Sequence, residues 1–335
     1  MGKYFKYAIG EIVLVMIGIL LALQVNNWNE NRKRHQEVDQ LLTDIEQDLI
    51  ANYHQANIAL EFYRYQDSLA RLIAHKKLTK KNYDENFKLS YYVANWEYYI
   101  PAVKNINQFV EAEKIIEKRF KPILNVAKNL QLYKSVLDDA WSNLDDNINK
   151  NIESIAQRGW LIKGDSIAYR KRLEYHLNSK EYPIEVFGYW ARSQNYHDKI
   201  SRYRAQTIAL LTSIKLINEN YSTKEVMALY DSLNMPAALV YDCQMAHDQL
   251  QPLRKLRSSA LYGNLSDDEV SVSATNFEGE EIIEFKILPK SFMSIPASGY
   301  FGFDGDNNVL IEIKDVNGNC IEKYGMPENG YLLIE

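Results

Sequence analysis

The stretch KYAIGEIVLVMIGILLALQVNNWNENRKR, residues 6–34, decides how the rest of the chain is read. From Ile12 to Leu23 no side chain is polar, and widening the window to Ala8–Val25 admits only Glu11 and Gln24. A helix over that window is ~27 Å long, close to the ~30 Å hydrocarbon core of a bilayer. Tyr4, Tyr7 and Trp28 stand at its two ends, where amphipathic rings prefer the headgroup level. A cleaved signal peptide wants a shorter apolar run and small residues at the cut. LLALQVNN offers Ala22 and then Gln24. The stretch therefore predicts one retained transmembrane helix. Lys3 and Lys6 precede it and Arg32, Lys33 and Arg34 follow it, so the flanking charges set no orientation. A long folded domain translocates largely regardless of such charges. The expectation is an inner-membrane protein crossing once, with the bulk of the chain in the periplasm.

Glu11 is the charge inside this run. At about 100° of rotation per residue, Glu11, Val15, Gly18 and Ala22 share one stripe of the helix. Gly18 and Ala22 make a small-xxx-small pair, which lets two backbones approach closely. A carboxyl on that stripe would face a partner: a second copy or another membrane protein. The competing reading is a tolerated end-of-helix charge that reaches the headgroups, Lys3 or Lys6.

Beyond the NRKRH collar, Val38, Leu42, Ile45, Leu49, Ala56, Ala59, Tyr63, Ala70 and Ile73 recur at mostly three- and four-residue steps, the period of one apolar helix face. No Gly or Pro intervenes between Gly18 and Pro101, so the helix continues from the first stretch. HKKLTKKNYDEN, residues 75–86, reads as a turn. Helical texture follows over 86–100, 103–119, 122–157, 166–178, 184–218, 223–233 and 236–258, an antiparallel bundle. Ser222 or Thr223, followed by Glu225, marks one helix start. Near Ser266 the period changes to two: EVSVSAT, EEIIEFKI, SGYFGF, NVLIEIK, NCIEKYG and GYLLIE alternate or run short and apolar. Gly279, Gly305, Asn317-Gly318 and Asn329-Gly330 between them are hairpin chemistry. The fold class expected is mainly α: a single N-terminal transmembrane helix over 1–30, an antiparallel helical bundle over 31–265, and a small C-terminal antiparallel β-domain over 266–335.

YAIGEIVLVMIGILLALQVNNWNENRK, residues 7–33, resembles the N-terminal signature of an uncharacterised family of single-pass membrane-anchored proteins from flavobacterium-like Gram-negative bacteria. The glutamate after a glycine, the IGI-LAL core and the NNWNE exit carry the resemblance. It implies an anchored, extracytoplasmic protein and brings no catalytic residues with it.

Hydrophobic residues make up 46% of the 335, charged residues 25%, and the net charge is −5. That is material for real cores, without the basic face that nucleic acid requires. The two cysteines, Cys243 and Cys320, fall in different expected domains and read as separate thiols. Among 24 tyrosines, YYVANWEYYIP (91–101) places Tyr92, Trp96 and Tyr99 on one helical face, and VFGYWARSQNY (186–196) supplies Trp190. Such rings line an apolar or carbohydrate ligand site, or form a core with their hydroxyls reaching partners. Cys243 and His247, four apart beside Asp242 and Asp248, read as structural, and no second metal-like spacing accompanies them. DGDNN places Asp304, Asp306 and Asn308 as a calcium loop would, with Asp315 twelfth, but Val309 replaces the required glycine, so a hairpin turn is the reading. Asp-Ser-aliphatic tripeptides at 67–69, 165–167 and 231–233 resemble O-glycosylation sites used outside the cytoplasm by related bacteria, and Asp-Ser also caps helices. No phosphate-cradling loop, nucleophile elbow or CxxC occurs.

The expectation is thus an interaction or scaffold protein of the cell envelope, not an enzyme, with no cofactor and no metal. Glu11, Gly18 and Ala22 would assemble its anchor in the lipid bilayer. The alternative is a ligand-sensing domain with Tyr92, Trp96, Tyr99 and Trp190 around an aromatic pocket.

Overall fold

The structure, a computed structural model, describes residues 2–75, 78–160, 166–244, 259–275, 281–296, 310–314, 318–325 and 330–334. Nothing in the sequence breaks the first helix, and α1 runs continuously from Gly2 to Ala74, roughly 110 Å. Its C-terminal half is amphipathic as its period predicts. Leu42, Ile45, Leu49, Ala56, Tyr63 and Ala70 all lie in the core.

The N-terminal half corrects the expected membrane crossing. Among the described residues, no helix is long and apolar enough to cross a membrane. The described side chains from Leu14 to Val25 are all exposed, Gln24 among them. Asn26, Asn27, Asn29 and Glu30 then follow on the same unbroken helix. Among the described residues the fold is a helical bundle with a β-module, and the expected single N-terminal transmembrane helix is not among its helices.

Four more helices follow the expected bounds closely: α4 (Lys121–Gln157) and α6 (Tyr182–Asn218), each with proline in its first turn, α5 (Ser166–Asn178) and α7 (Thr223–Ser232). Proline is pre-set for that position and its missing N–H costs nothing there. Ser222 and Glu225 close a reciprocal capping box on α7. Short helices α2 (Lys80–Glu85) and α3 (Lys104–Glu111) flank a region that differs from expectation. Residues 86–100 do not form an α-helix: Phe87–Ala94 is a 3-10 helix, and 95–103 has no regular secondary structure.

Central in the bundle is α6, packed between α1 and α4 and covered on another side by strands. From Ile200 to Ile214 every residue except Arg202 is buried. Three of the polar side chains there survive burial by bonding within their own helix: Thr207 to the Tyr203 carbonyl, Thr212 to Ile208 and Ser213 to Ala209.

The β-module makes two further layers. β1 (Leu239–Tyr241), β3 (Val270–Thr275), β4 (Glu281–Ile287), β6 (Leu310–Lys314) and β7 (Cys320–Gly325) form one sheet in the order β1-β7-β6-β3-β4. β2 (Ser259–Asn264), β5 (Ser291–Pro296) and β8 (Tyr331–Ile334) form the other, in the order β5-β2-β8, with β8 parallel to β2 and all other pairs antiparallel. Leu261, Phe292, Tyr331 and Leu333 join the helical core. Ala260, Tyr262 and Leu332 pack the opposite way, against Val272, Ile287, Ile311 and Ile313 of the larger sheet. At Gly263 a Cβ would lie 2.7–2.9 Å from Phe292 and Leu333 side-chain atoms, so a larger residue there would have to displace them.

Two further expectations change. Strand structure begins before residue 266, and residues 239–241, expected in a helix over 236–258, form β1 instead. ALVY is too short for its period to separate helix from strand, and pairing with β7 decides it. Cys243 and Cys320, read as separate thiols, form a disulfide across 77 residues. The fold brings the end of β1 beside the start of β7, a closeness that no spacing in the sequence reveals. One face of the smaller sheet thus joins the helical core, and its other face closes a second core with the larger sheet.

Candidate functional site

The segment from Asn95 to Val103 crosses the bundle as an irregular strap between the 3-10 helix and α3. Ile100 precedes Pro101 and is thereby steered out of the helical region. Burial alternates along the strap: Trp96, Tyr98 and Ile100 are exposed, while Tyr99 and Pro101 are buried. That period of two is the mark of an extended backbone.

A buried extended segment without a neighbouring strand leaves its backbone N–H and C=O groups in need of partners. Side chains from the surrounding helices supply them. The Tyr63 hydroxyl on α1 donates to the Glu97 carbonyl at 2.8 Å and accepts the Glu97 N–H at 3.3 Å. On α6, Tyr189 donates to the Asn95 carbonyl, and the Tyr196 hydroxyl accepts the Tyr99 N–H at 3.1 Å. The Asn52 amide on α1 clamps Ala102 at both ends, donating to its carbonyl at 2.8 Å and accepting its N–H at 2.7 Å. From α4, Asn151 donates to the Val93 carbonyl at 2.8 Å.

The tyrosines of α6 that do this belong to a ladder. Tyr182, Tyr189, Tyr196 and Tyr203 recur every seven residues and all are fully buried. Their rings meet those of the 3-10 helix, of α1 and of the strap edge-on: Tyr189 meets Tyr92 at 5.1 Å, Tyr196 meets Tyr63 at 5.4 Å, and Tyr203 meets Tyr99 at 5.9 Å. Burial pushes the hydroxyls of Tyr63, Tyr92, Tyr99, Tyr189 and Tyr196 well above the ordinary tyrosine range, so they stay neutral.

Further along the helices lies a buried charged group. Asp67 accepts from Trp190 Nε1 at 2.8 Å and from Arg71 Nε at 3.1 Å. His197 is buried nearby, and desolvation with the charges of Arg204 and Arg64 lowers its pKa to about 4, against the opposing pull of Asp198 and Asp67. At the far end of the ladder, His176 stacks on Tyr182 at 4.2 Å, and burial with Arg172 and Arg158 lowers its pKa to about 3.

The aromatic residues singled out from the sequence therefore do not share one face. Tyr92 lies in the 3-10 helix and bonds to the Gln66 carbonyl. Tyr99 points inward from the strap and donates to the Asn52 carbonyl. Trp190 is held by Asp67, and Trp96 stands 50% exposed on the outer surface. Gly18 has no atom within 4 Å of where a Cβ would stand, and Ala22 is exposed. The side chain of Glu11, His247 and the DGDNN turn lie outside the described residues. Among the described residues, no three His, Cys, Asp or Glu side chains gather as metal ligands. Sequence reasoning missed Tyr63, Tyr189, Tyr196, Asn52 and Asn151; the seven-residue tyrosine spacing and Pro101 were the legible signals.

A family of unknown function, DUF6090, matches residues 11–135 of the chain. The match takes in α1 from residue 11, the strap, α3 and the first turns of α4. No curated protein and no solved structure matches the chain.

Proposed function

We propose that the chain is an interaction or scaffold protein that assembles with further copies of itself through the N-terminal part of α1. The observation that carries this reading is the exposure of that shaft. Leu14, Val15, Met16, Ile17, Ile19, Leu20, Leu21, Leu23 and Val25 are 51–74% exposed and lie on all sides of the helix. At roughly 60–120 Å² per fully exposed side chain, from ~1.5–3 kcal/mol at ~25 cal/mol/Å², and at this exposure, they offer on the order of 500 Å². That is over half of the ~800 Å² that one partner contributes to a standard interface, and exposed apolar patches of this size mark contact surfaces. A helix pair covers only one stripe of each member, so an all-round apolar shaft favours three or more copies. Gly18 and Ala22 supply the place where backbones approach most closely, with Glu11 on the same stripe.

The Cys243–Cys320 disulfide supports a location in an oxidising compartment, outside the cytoplasm. Packed, hydrogen-bonded aromatic rings support a scaffold over a sensor with an aromatic pocket. The test is the mass of the full-length chain by sedimentation, wild type beside Gly18→Leu and Glu11→Ala. A wild-type oligomer that loses copies in Gly18→Leu supports the reading. A monomeric wild type overturns it.

A further inference from the structure

We propose that the strap from Asn95 to Pro101 is a strand-addition site, which receives an extended peptide of a partner protein whose apolar side chains fall at alternate positions. The inference rests on the reading of the chain as an interaction protein. It uses a different surface from the α1 shaft and a different kind of partner.

The argument starts from the strap's two edges. Along an extended backbone, successive residues direct their N–H and C=O groups to opposite edges. The edge carrying Asn95, Glu97 and Tyr99 is held by Tyr189, Tyr63 and Tyr196. The other edge carries the backbone groups of Trp96, Tyr98 and Ile100, and none of these bonds to any described residue. An unpaired row of donors and acceptors on an ordered extended segment is a template for one kind of ligand, another backbone.

The side chains beside that edge define the rest of the partner. Trp96 is 50% exposed, Tyr98 43% and Ile100 63%, and the Tyr98 ring is braced against Trp141 of α4 at 4.4 Å. Cross-strand neighbours of two aromatic rings and an isoleucine are best matched by apolar or β-branched residues at every second position. The tyrosine and asparagine clamps fix the strap before any partner arrives, so binding orders only the incoming peptide. This gives the tyrosine clamps a use beyond packing: they hold one edge so that the other stays open, while Asn52 pins Ala102 just past the end of the open row.

The experiment selects a phage-displayed library of random nine-residue peptides on the full-length chain, then measures the best binder as a synthetic peptide. Two further versions of that peptide carry N-methyl groups on alternate amides, one version for each parity. The expected result is enrichment of alternating apolar sequences, with one methylated parity weakened about ten-fold or more and the other unchanged. Trp96→Ala and Ile100→Ser, both at exposed positions, each weaken binding with no shift in the urea midpoint of the protein. Failure to enrich any peptide over a Trp96→Ala control overturns the proposal. So does binding that needs Trp96 but ignores both methylation patterns, since that describes an apolar patch and not a paired strand. Loss of self-assembly through α1 leaves peptide binding intact, so the two readings fail separately.

Discussion

The two halves of α1 share one unbroken helix and have opposite surroundings. Between Val38 and Ile73 one face is apolar and covered by α6 and α3, while the other is wet and mostly polar, Ile58, Tyr65 and Leu72 excepted. Between Leu14 and Trp28 the side chains are more apolar, yet they are exposed. Backbone hydrogen bonding is the same in both, so it cannot distinguish them. What differs is whether anything packs on the side chains, and packing supplies most of the stability of a helix in a protein. The C-terminal half therefore works by folding this chain, and the exposed N-terminal half is left for the contact with another copy that we propose.

The largest expected effect breaks the comparison if it fails. Leu49 is 0% exposed and Leu20 is 60% exposed, on the same helix. Leu49→Ala removes buried methyl groups and leaves a cavity, at a cost of about 2–5 kcal/mol. Leu20→Ala should leave the unfolding free energy of the dissociated chain within about 0.5 kcal/mol. Urea unfolding of both variants checks this. Equal costs would mean the shaft is packed within its own chain.

Acid supplies the next largest effect and sharpens what the covered half is covered with. His197 sits in the bundle among Arg204, Arg64, Asp198 and Asp67, and its pKa falls from 6.5 to about 4. The folded state thus binds fewer protons than the unfolded state between those values. Stability is full above pH 6.5 and is lost as pH falls towards 4, by about 3 kcal/mol at about 1.4 kcal/mol per unit. His176, lowered to about 3, acts in the same direction and extends the loss further. Urea midpoints measured from pH 7 to pH 4 should fall steadily, and His197→Gln should flatten part of that slope. A pH-independent midpoint would mean that neither histidine is buried as a neutral group.

How much of this was legible in the sequence follows from the range of the forces involved. The bounds of α5, Ser166–Asn178, and the capping box of Ser222 and Glu225 are local chemistry, and both were readable. The apolar face of α1 from Val38 onward was readable for the same reason. The strap was not, because Tyr92, Trp96 and Tyr99 also fit a helical face, and the deciding contacts come from far away. Tyr63 reaches Glu97 across 34 residues, and Tyr189 and Tyr196 reach the strap across 94 and 97. The disulfide needs β1 and β7 paired before Cys243 can find Cys320. The first stretch misled differently. Hydropathy reports that a side chain wants cover without saying what provides it, and among the described residues no helix is long and apolar enough to cross a membrane.

Asn52 links the covered half of α1 to the strap, and its removal is a smaller effect than either of those above. Asn52→Ala strips the N–H and C=O of Ala102 of their partner. Leaving such groups unsatisfied costs about 1–3 kcal/mol. Hydrogen exchange should quicken at the Ala102 amide, while Tyr99, whose N–H is held by Tyr196 and whose hydroxyl bonds the retained Asn52 backbone carbonyl, and α4 keep their protection. Uniform loss of protection across the bundle would show that the strap unfolds only with the whole.

The smallest effect lies at the boundary between the halves. Glu30 accepts from Asn26 at 3.0 Å and pairs with Arg34 at 3.9 Å, with both charged side chains 53% exposed. Arg32 lies over the Trp28 ring at 5.3 Å. These contacts join residues on the helix surface to their own neighbours and to nothing across it, so they stiffen the collar without anchoring it. Glu30→Gln should therefore cost about 0.5 kcal/mol or less, and less again at high salt, because an exposed pair gains little and is screened. Helix content and sedimentation should both hold. If Glu30→Gln instead dissociates the oligomer, the collar belongs to the interface, and the covered region between copies extends past Trp28 to the edge of the bundle.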